Sequence, residues 1–176
     1  MTFDFSASHF ALFEQPERFA IDAPALDARY RALQAQYHPD RFASGSDAEK
    51  RLALQIATRV NEAYQILKSP LARGRYLLGL FGVDTQEETN TAMPMDFLIA
   101  QMEWREQIAE ARASGNVARL ESLNAELRDD IAEHEAELGA ALDARTLDAA
   151  AMAVRKLRFL EKLDQEIGDA IEAALF

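Results

Sequence analysis

An imidazole and a carboxylate stand one residue apart in the run His38-Pro39-Asp40, separated by a proline that fixes its own backbone torsion and donates no hydrogen bond. Two kinds of chemistry use such a pair. In the first, His38 is a general base oriented by Asp40, which requires a nucleophile, a metal or a phosphate cradle within reach. The chain has no glycine-rich phosphate loop here, no convincing nucleophile, no cysteine, and only three histidines, His9, His38 and His134, none with a second histidine at helical spacing. No catalytic residue, metal site or cofactor is expected. In the second, the tripeptide is an exposed contact point for another protein. Alone it specifies only a turn, so its neighbours decide.

Those neighbours are two amphipathic helices. Before the tripeptide, Leu26, Tyr30, Leu33 and Tyr37 recur at spacings of four, three and four, one face of a helix that Pro39 must end. Asp22 reads as its N-cap and Pro24 suits its first turn. After the tripeptide, Ser46 and Glu49 form a capping-box pattern that opens a second helix with the stripe Leu52, Ile56, Val60, Ala63 and Leu67. The expected arrangement is an antiparallel pair flanking a loop over 40–45 that projects His38 and Asp40. A short aromatic helix around 8–13 and a leucine-rich helix within 71–81, stopped by Gly82, complete a four-helix domain over 1–82.

The surrounding residues read Tyr37-His38-Pro39-Asp40-Arg41-Phe42, then Asn61-Glu62-Ala63-Tyr64-Gln65-Ile66-Leu67, then Ser69-Pro70 with Arg73 and Tyr76. This pattern resembles the J-domain. The resemblance implies a module that stimulates the ATPase of a DnaK-type chaperone, with His38, Pro39 and Asp40 as its contact. Arg29, Arg31 and Arg41 make the neighbourhood of the tripeptide locally basic, and charge of this kind chiefly raises association rate and fixes orientation.

Charge divides the chain. Residues 1–82 carry 10 basic and 9 acidic side chains, net +1, whereas 83–176 carry 9 and 21, net −12. An acidic half repels phosphate backbones and anionic lipid, which leaves a basic or neutral protein as its expected partner and argues against nucleic acid and membrane. No apolar stretch approaches the roughly 18 residues of a membrane span, and the N-terminus lacks the form of a secretory signal, which predicts a cytoplasmic protein. Residues 83–93, VDTQEETNTAM, are polar and without periodicity and read as a linker. Beyond it, helices over about 94–113, 117–141 and 147–175, joined by short breaks, predict a three-helix bundle over 94–176.

The helix from Pro94 has more apolar surface than such a bundle needs. At about 100° per residue, Phe97, Trp104, Ile108 and Ala111 gather on one side, while Met95, Leu98, Ile99, Met102 and Ala109 lie roughly opposite. Glu103, Glu106 and Glu110 run beside the second set, giving an apolar strip with an acidic border. Two readings stand: both faces are buried, or the Leu98, Ile99 and Met102 face grips a partner. In the last helix the core stripe is Val154, Leu157, Leu160, Ile167 and Ile171, which leaves Phe159 off the stripe, as a ring covered by basic stems or as a second anchor.

The run Tyr37 to Ser46, Tyr76-Leu77-Leu78, and Val154-Arg155-Lys156-Leu157-Arg158-Phe159-Leu160 resemble the bacterial iron–sulfur co-chaperones of the HscB family along nearly the whole chain. The resemblance implies an all-α, L-shaped protein, a J-domain joined to a three-helix bundle, with the chaperone HscA and the scaffold IscU as partners. Carried over residue by residue, it assigns scaffold binding to Leu98, Ile99, Met102, Glu103, Glu106, Glu110 and Phe159. Ile99, Met102 and Arg41 depart from the family pattern while keeping polarity and approximate size. A general J-protein that recruits other clients is the alternative; the chain lacks the Gly/Phe-rich and cysteine-rich segments such proteins carry.

Overall fold

Seven α-helices and one 3-10 turn make up the computed structural model, which describes residues 2–176. They are α1 (His9–Leu12), α2 (Ala23–Tyr37), the 3-10 turn (Pro39–Phe42), α3 (Asp47–Lys68), α4 (Pro70–Leu80), α5 (Met95–Ala113), α6 (Val117–Asp143) and α7 (Leu147–Leu175). No strand occurs among the described residues, and none of their helices is long and apolar enough to cross a membrane. The chain forms two units, one ending at Leu77 and the other running Leu78–Phe176. The boundary falls inside α4.

In the first unit α2 and α3 are antiparallel, as their cross-contacts show. The Tyr64 hydroxyl donates to Asp27 at 2.7 Å, Tyr30 donates to Asn61 at 2.7 Å, and Tyr30 stacks on Tyr64 at 3.9 Å. The expected caps are present: Asp22 accepts from the Ala25 amide, and Ser46 and Glu49 exchange both bonds of the capping box. The stripes from Leu26 to Tyr37 and from Ile56 to Leu67 meet as a core that Phe10 of α1 and Phe13, its C-cap, close. Arg73 is buried and donates to the Phe19 and Leu67 carbonyls, both at 2.7 Å, so it ties the 13–22 segment to the end of α3. Tyr76 accepts from the His9 amide at 2.9 Å and stacks on the His9 ring.

The second unit is organised by α6 and α7, of 27 and 29 residues. Leu120, Leu123 and Leu127 of α6 pack with Leu160, Leu163 and Ile167 of α7, and α5 adds Phe97, Ile108 and Ala111 to the same cluster. The turn from α5 to α6 requires a left-handed residue, supplied by Gly115 at φ +63°, after which Asn116 caps α6 by accepting from the Arg119 amide. The stretch 83–93, expected to be a linker, falls within this second unit. Thr85 is buried, and its carbonyl accepts from Arg155 of α7 at 3.0 Å. Composition alone hides this, because a backbone carbonyl bonded by a distant side chain leaves no periodicity.

His9 supplies a pH test of the first unit. Its ring is buried and its Nδ1 has no hydrogen-bond partner. Burial pushes its pKa below the ordinary histidine value, and Arg59 adds to this against a smaller opposing effect of Glu62. Between the lowered folded pKa and the unfolded value of about 6.5, the unfolded chain binds a proton that the folded unit does not. Stability therefore falls as pH drops below about 6.5, by at most about 1.4 kcal/mol per pH unit for one proton. Urea melts at pH 7 and 5.5 are expected to show that loss in wild type and a smaller one in His9→Phe. An unchanged pH dependence in the variant would exclude His9 as its source.

Candidate functional site

The tip between α2 and α3 is built by capping. His38 leaves helical torsions at φ −60° and ψ 132°, and its Nδ1 accepts from the Asp40 amide at 3.2 Å as the N-cap of the 3-10 turn. The expected open loop over 40–45 is thus a 3-10 turn for its first part, since Pro39 is preset for the first turn and the His38 side chain satisfies a free amide. With Nδ1 accepting, a neutral imidazole carries its proton on Nε2. The Asp40 carboxylate lies 3.6 Å from the same Nδ1. Both side chains are exposed, 54 % for His38 and 93 % for Asp40. The tip presents one outward donor and one outward acceptor on a short, proline-stiffened frame.

The three arginines expected around the tip divide. Arg41 donates to the Ala35 carbonyl at 2.9 Å, which fastens the 3-10 turn to the last turn of α2. Arg31 is exposed, and its seven-residue separation from His38 keeps it on the same side of α2, about 10 Å along the axis. Arg29 does not belong to this neighbourhood. It lies nine residues, about 13 Å, up α2 on the opposite side. There it donates to the Leu12 carbonyl at 3.4 Å and pairs with Glu14 at 3.8 Å. A helical wheel shows its charge but not these partners from α1 and its C-terminal flank.

Beside the tip lies an exposed leucine outside the α3 stripe, Leu54. A groove of about 240 Å³ between α2 and α3 is lined by Leu33, Tyr37, Pro39 and Leu54, with His38 at its edge, and Leu54 is 59 % exposed. The signal was available, because Leu54 falls two residues from Leu52 and off the α3 stripe.

On α5 the two faces separate as the wheel divides them. Phe97, Ile108 and Ala111 are buried and Trp104 packs partly against the cluster. Leu98, Ile99 and Met102 are exposed by 37, 50 and 71 %, with Glu103, Glu106 and Glu110 exposed alongside. The core of the second unit therefore accounts for the first face and leaves the Leu98, Ile99 and Met102 face uncovered within that unit. Phe159 is not a free anchor: it is half-buried, packs against the cluster that holds Phe97, and has the Lys162 ammonium 5.9 Å from its ring centre. His134 of α6 meets the Phe97 ring edge-on at 5.8 Å and lines a polar cleft with Asp96, Gln101 and Lys156, its Nδ1 2.9 Å from the Asp130 carbonyl.

Comparison with known proteins gives a consistent set of relatives. A family model described as the HSCB C-terminal oligomerisation domain matches residues 93–168. A co-chaperone protein HscB homolog of Chromobacterium violaceum is 65 % identical over 176 residues, covering 99 % of both chains. The solved chaperone HscB from Vibrio cholerae superposes with a TM-score of 0.84 at 34 % identity, over 97 % of this chain and all of that one. The crystal structure of human co-chaperone protein HscB gives 0.88 at 31 % identity, over 94 % of this chain and 82 % of that one.

The division of α5 has a stability consequence. Replacing Leu98 and Met102 together by alanine is expected to change stability by under about 1 kcal/mol, as for surface positions. Ile108→Ala is expected to cost roughly 2–5 kcal/mol by emptying core volume, and Phe159→Ala an intermediate amount. Urea denaturation followed by circular dichroism checks this order. A double variant that melts as far below wild type as Ile108→Ala would mean that the strip is buried.

Proposed function

The chain belongs to the HscB co-chaperone family, and from that membership we propose that it is a cytoplasmic adaptor for iron–sulfur cluster assembly, joining a DnaK-type chaperone ATPase of the HscA kind to a cluster scaffold of the IscU kind. The observation that carries this reading is the presence in one chain of two unlike exposed features, the His38-Asp40 tip and the glutamate-bordered strip of α5. In this reading residues 1–82 are the J-domain and 94–176 the scaffold-binding bundle, with 83–93 between them.

At the first feature, His38, Pro39, Asp40 and Arg41 meet the chaperone, and Arg31 extends the basic approach along α2. Arg29 acts within its own unit. At the second, Leu98, Ile99 and Met102 supply apolar contact area, Phe159 a partly seated ring, and Glu103, Glu106 and Glu110 an acidic rim that selects a basic or neutral surface. A few apolar side chains of this sort carry most of the energy of a protein interface. The cluster is cargo on the scaffold, so the adaptor itself needs no metal ligand.

Mechanistically the adaptor changes an equilibrium. Docking of the tip favours the chaperone conformation that hydrolyses ATP, and the ADP state then holds the scaffold that the bundle has delivered. No covalent step occurs on the adaptor, in keeping with a family whose members are named co-chaperones.

The decisive variant is His38→Gln. It is expected to lower stimulation of the chaperone ATPase at least tenfold while circular dichroism and scaffold binding stay at wild-type values, because the imidazole is exposed and caps only the 3-10 turn. Full stimulation by this variant would remove the tip from the mechanism.

A further inference from the structure

Arg155 is 9 % exposed and spends its charge on a loop carbonyl. Its Nη1 donates to the Thr85 carbonyl at 3.0 Å, its Nη2 lies 3.8 Å from the Met152 sulfur, and its Nε has no hydrogen-bond partner. Burying a guanidinium for so few bonds is poor for stability, since an apolar side chain of similar volume commonly packs better. What the arrangement supplies is a defined position for the strap 83–93.

The strap is met in order along α7. The Arg145 guanidinium, at the turn into α7, lies 3.8 Å from the Phe81 ring centre; Arg155 takes Thr85; and Arg158 reaches Glu88 at 3.8 Å. Arg145 makes its contact from a left-handed conformation, φ +58°, that a glycine would adopt with less strain. At the centre, Thr85 is buried and its hydroxyl donates to Glu87 at 2.6 Å, and the Asn90 amide donates to the Gln86 carbonyl at 2.8 Å, closing a turn. Met93 then packs on the cluster that also carries Phe97 and Phe159. Pro94 starts α5 without a side-chain cap. The strap therefore sets where α5 begins, and Leu98 follows one turn later.

We propose that Arg155 is a positioning residue for the scaffold-binding surface: by fixing the Thr85 carbonyl it holds the strap against α7 and keeps the start of α5, with Leu98 and Ile99, in register with Phe159. This rests on the scaffold-binding reading above. Of the three pins only Arg155 is buried. The Arg158 pair is more exposed and correspondingly weak.

The test compares Arg155→Met, which keeps the volume and removes the donor, with Arg155→Lys, which still offers one donor to Thr85. Hydrogen exchange of the intact chain and calorimetric titration with the purified scaffold protein are read together. In Arg155→Met, amides of 84–93 and of the first two turns of α5 are expected to exchange faster while those of α6 and the rest of α7 keep their protection. Scaffold affinity is expected to fall about tenfold through lost preorganisation, and chaperone stimulation without scaffold to stay unchanged. Arg155→Lys is expected to regain most of the affinity. The proposal is overturned if Arg155→Met binds the scaffold within twofold of wild type, or if protection is lost throughout the bundle, so that weak binding merely reports unfolding. A lysine variant at wild-type stability that binds no better than the methionine variant would also overturn it. Failure of wild type itself to bind the scaffold contradicts the functional reading instead.

Discussion

The apolar seam between α6 and α7 is the constraint on which the second unit depends. Leu120, Leu123, Leu127, Leu138 and Leu142 from one helix and Val154, Leu157, Leu160, Leu163 and Ile167 from the other are all essentially removed from water. Each such side chain contributes on the order of 1.5–3 kcal/mol when fully buried, so two helices long enough to share ten of them form a stiff hairpin. That hairpin needs little from a third helix. α5 adds Phe97, Ile108 and Ala111 along one side, and the wheel geometry leaves Leu98, Ile99 and Met102 outside. Exposed apolar strips are uncommon on proteins that do not use them, and this one lies on a helix whose other face is seated on the α6–α7 hairpin.

The first unit applies the same logic to a polar feature. A proline ends α2, a histidine caps the turn that follows, and an arginine fastens that turn to the helix it has just left. Nothing apolar in the tip is needed for these bonds, so His38 and Asp40 remain available while their backbone is defined. Preorganisation of this kind lowers the ordering cost of association. The charge asymmetry has a complementary effect: the first half is near neutral and the second carries net −12, so the two ends favour partners of different electrostatic character.

Much of this was legible in the sequence, where the signals are local. The bounds of α7, the Asp22 cap, the Ser46 and Glu49 box and the two faces of α5 follow from residue type and a period of 3.6. What escaped depends on partners distant in sequence. Arg29 reads as surface charge because nothing nearby marks its bond to Leu12, 17 residues away. Residues 83–93 read as a linker because Arg155 lies 70 residues beyond Thr85. Phe159 sits off its stripe, but the cluster is wide enough to cover part of the ring. The 3-10 turn has four residues, too few to show a period. Leu54 is the converse case, an exposed leucine that its position two residues from Leu52 already sets off the stripe.

The proposed coupling of scaffold capture to chaperone activation is measured most directly by the chaperone's ATPase rate as this protein is titrated, with and without saturating scaffold. If both ends act on the same chaperone molecule, the second contact is made at high effective concentration. The expected result is that scaffold lowers the half-maximal concentration of this protein by about tenfold or more. A half-maximal concentration that is unchanged by scaffold, or raised by it, would contradict the coupling.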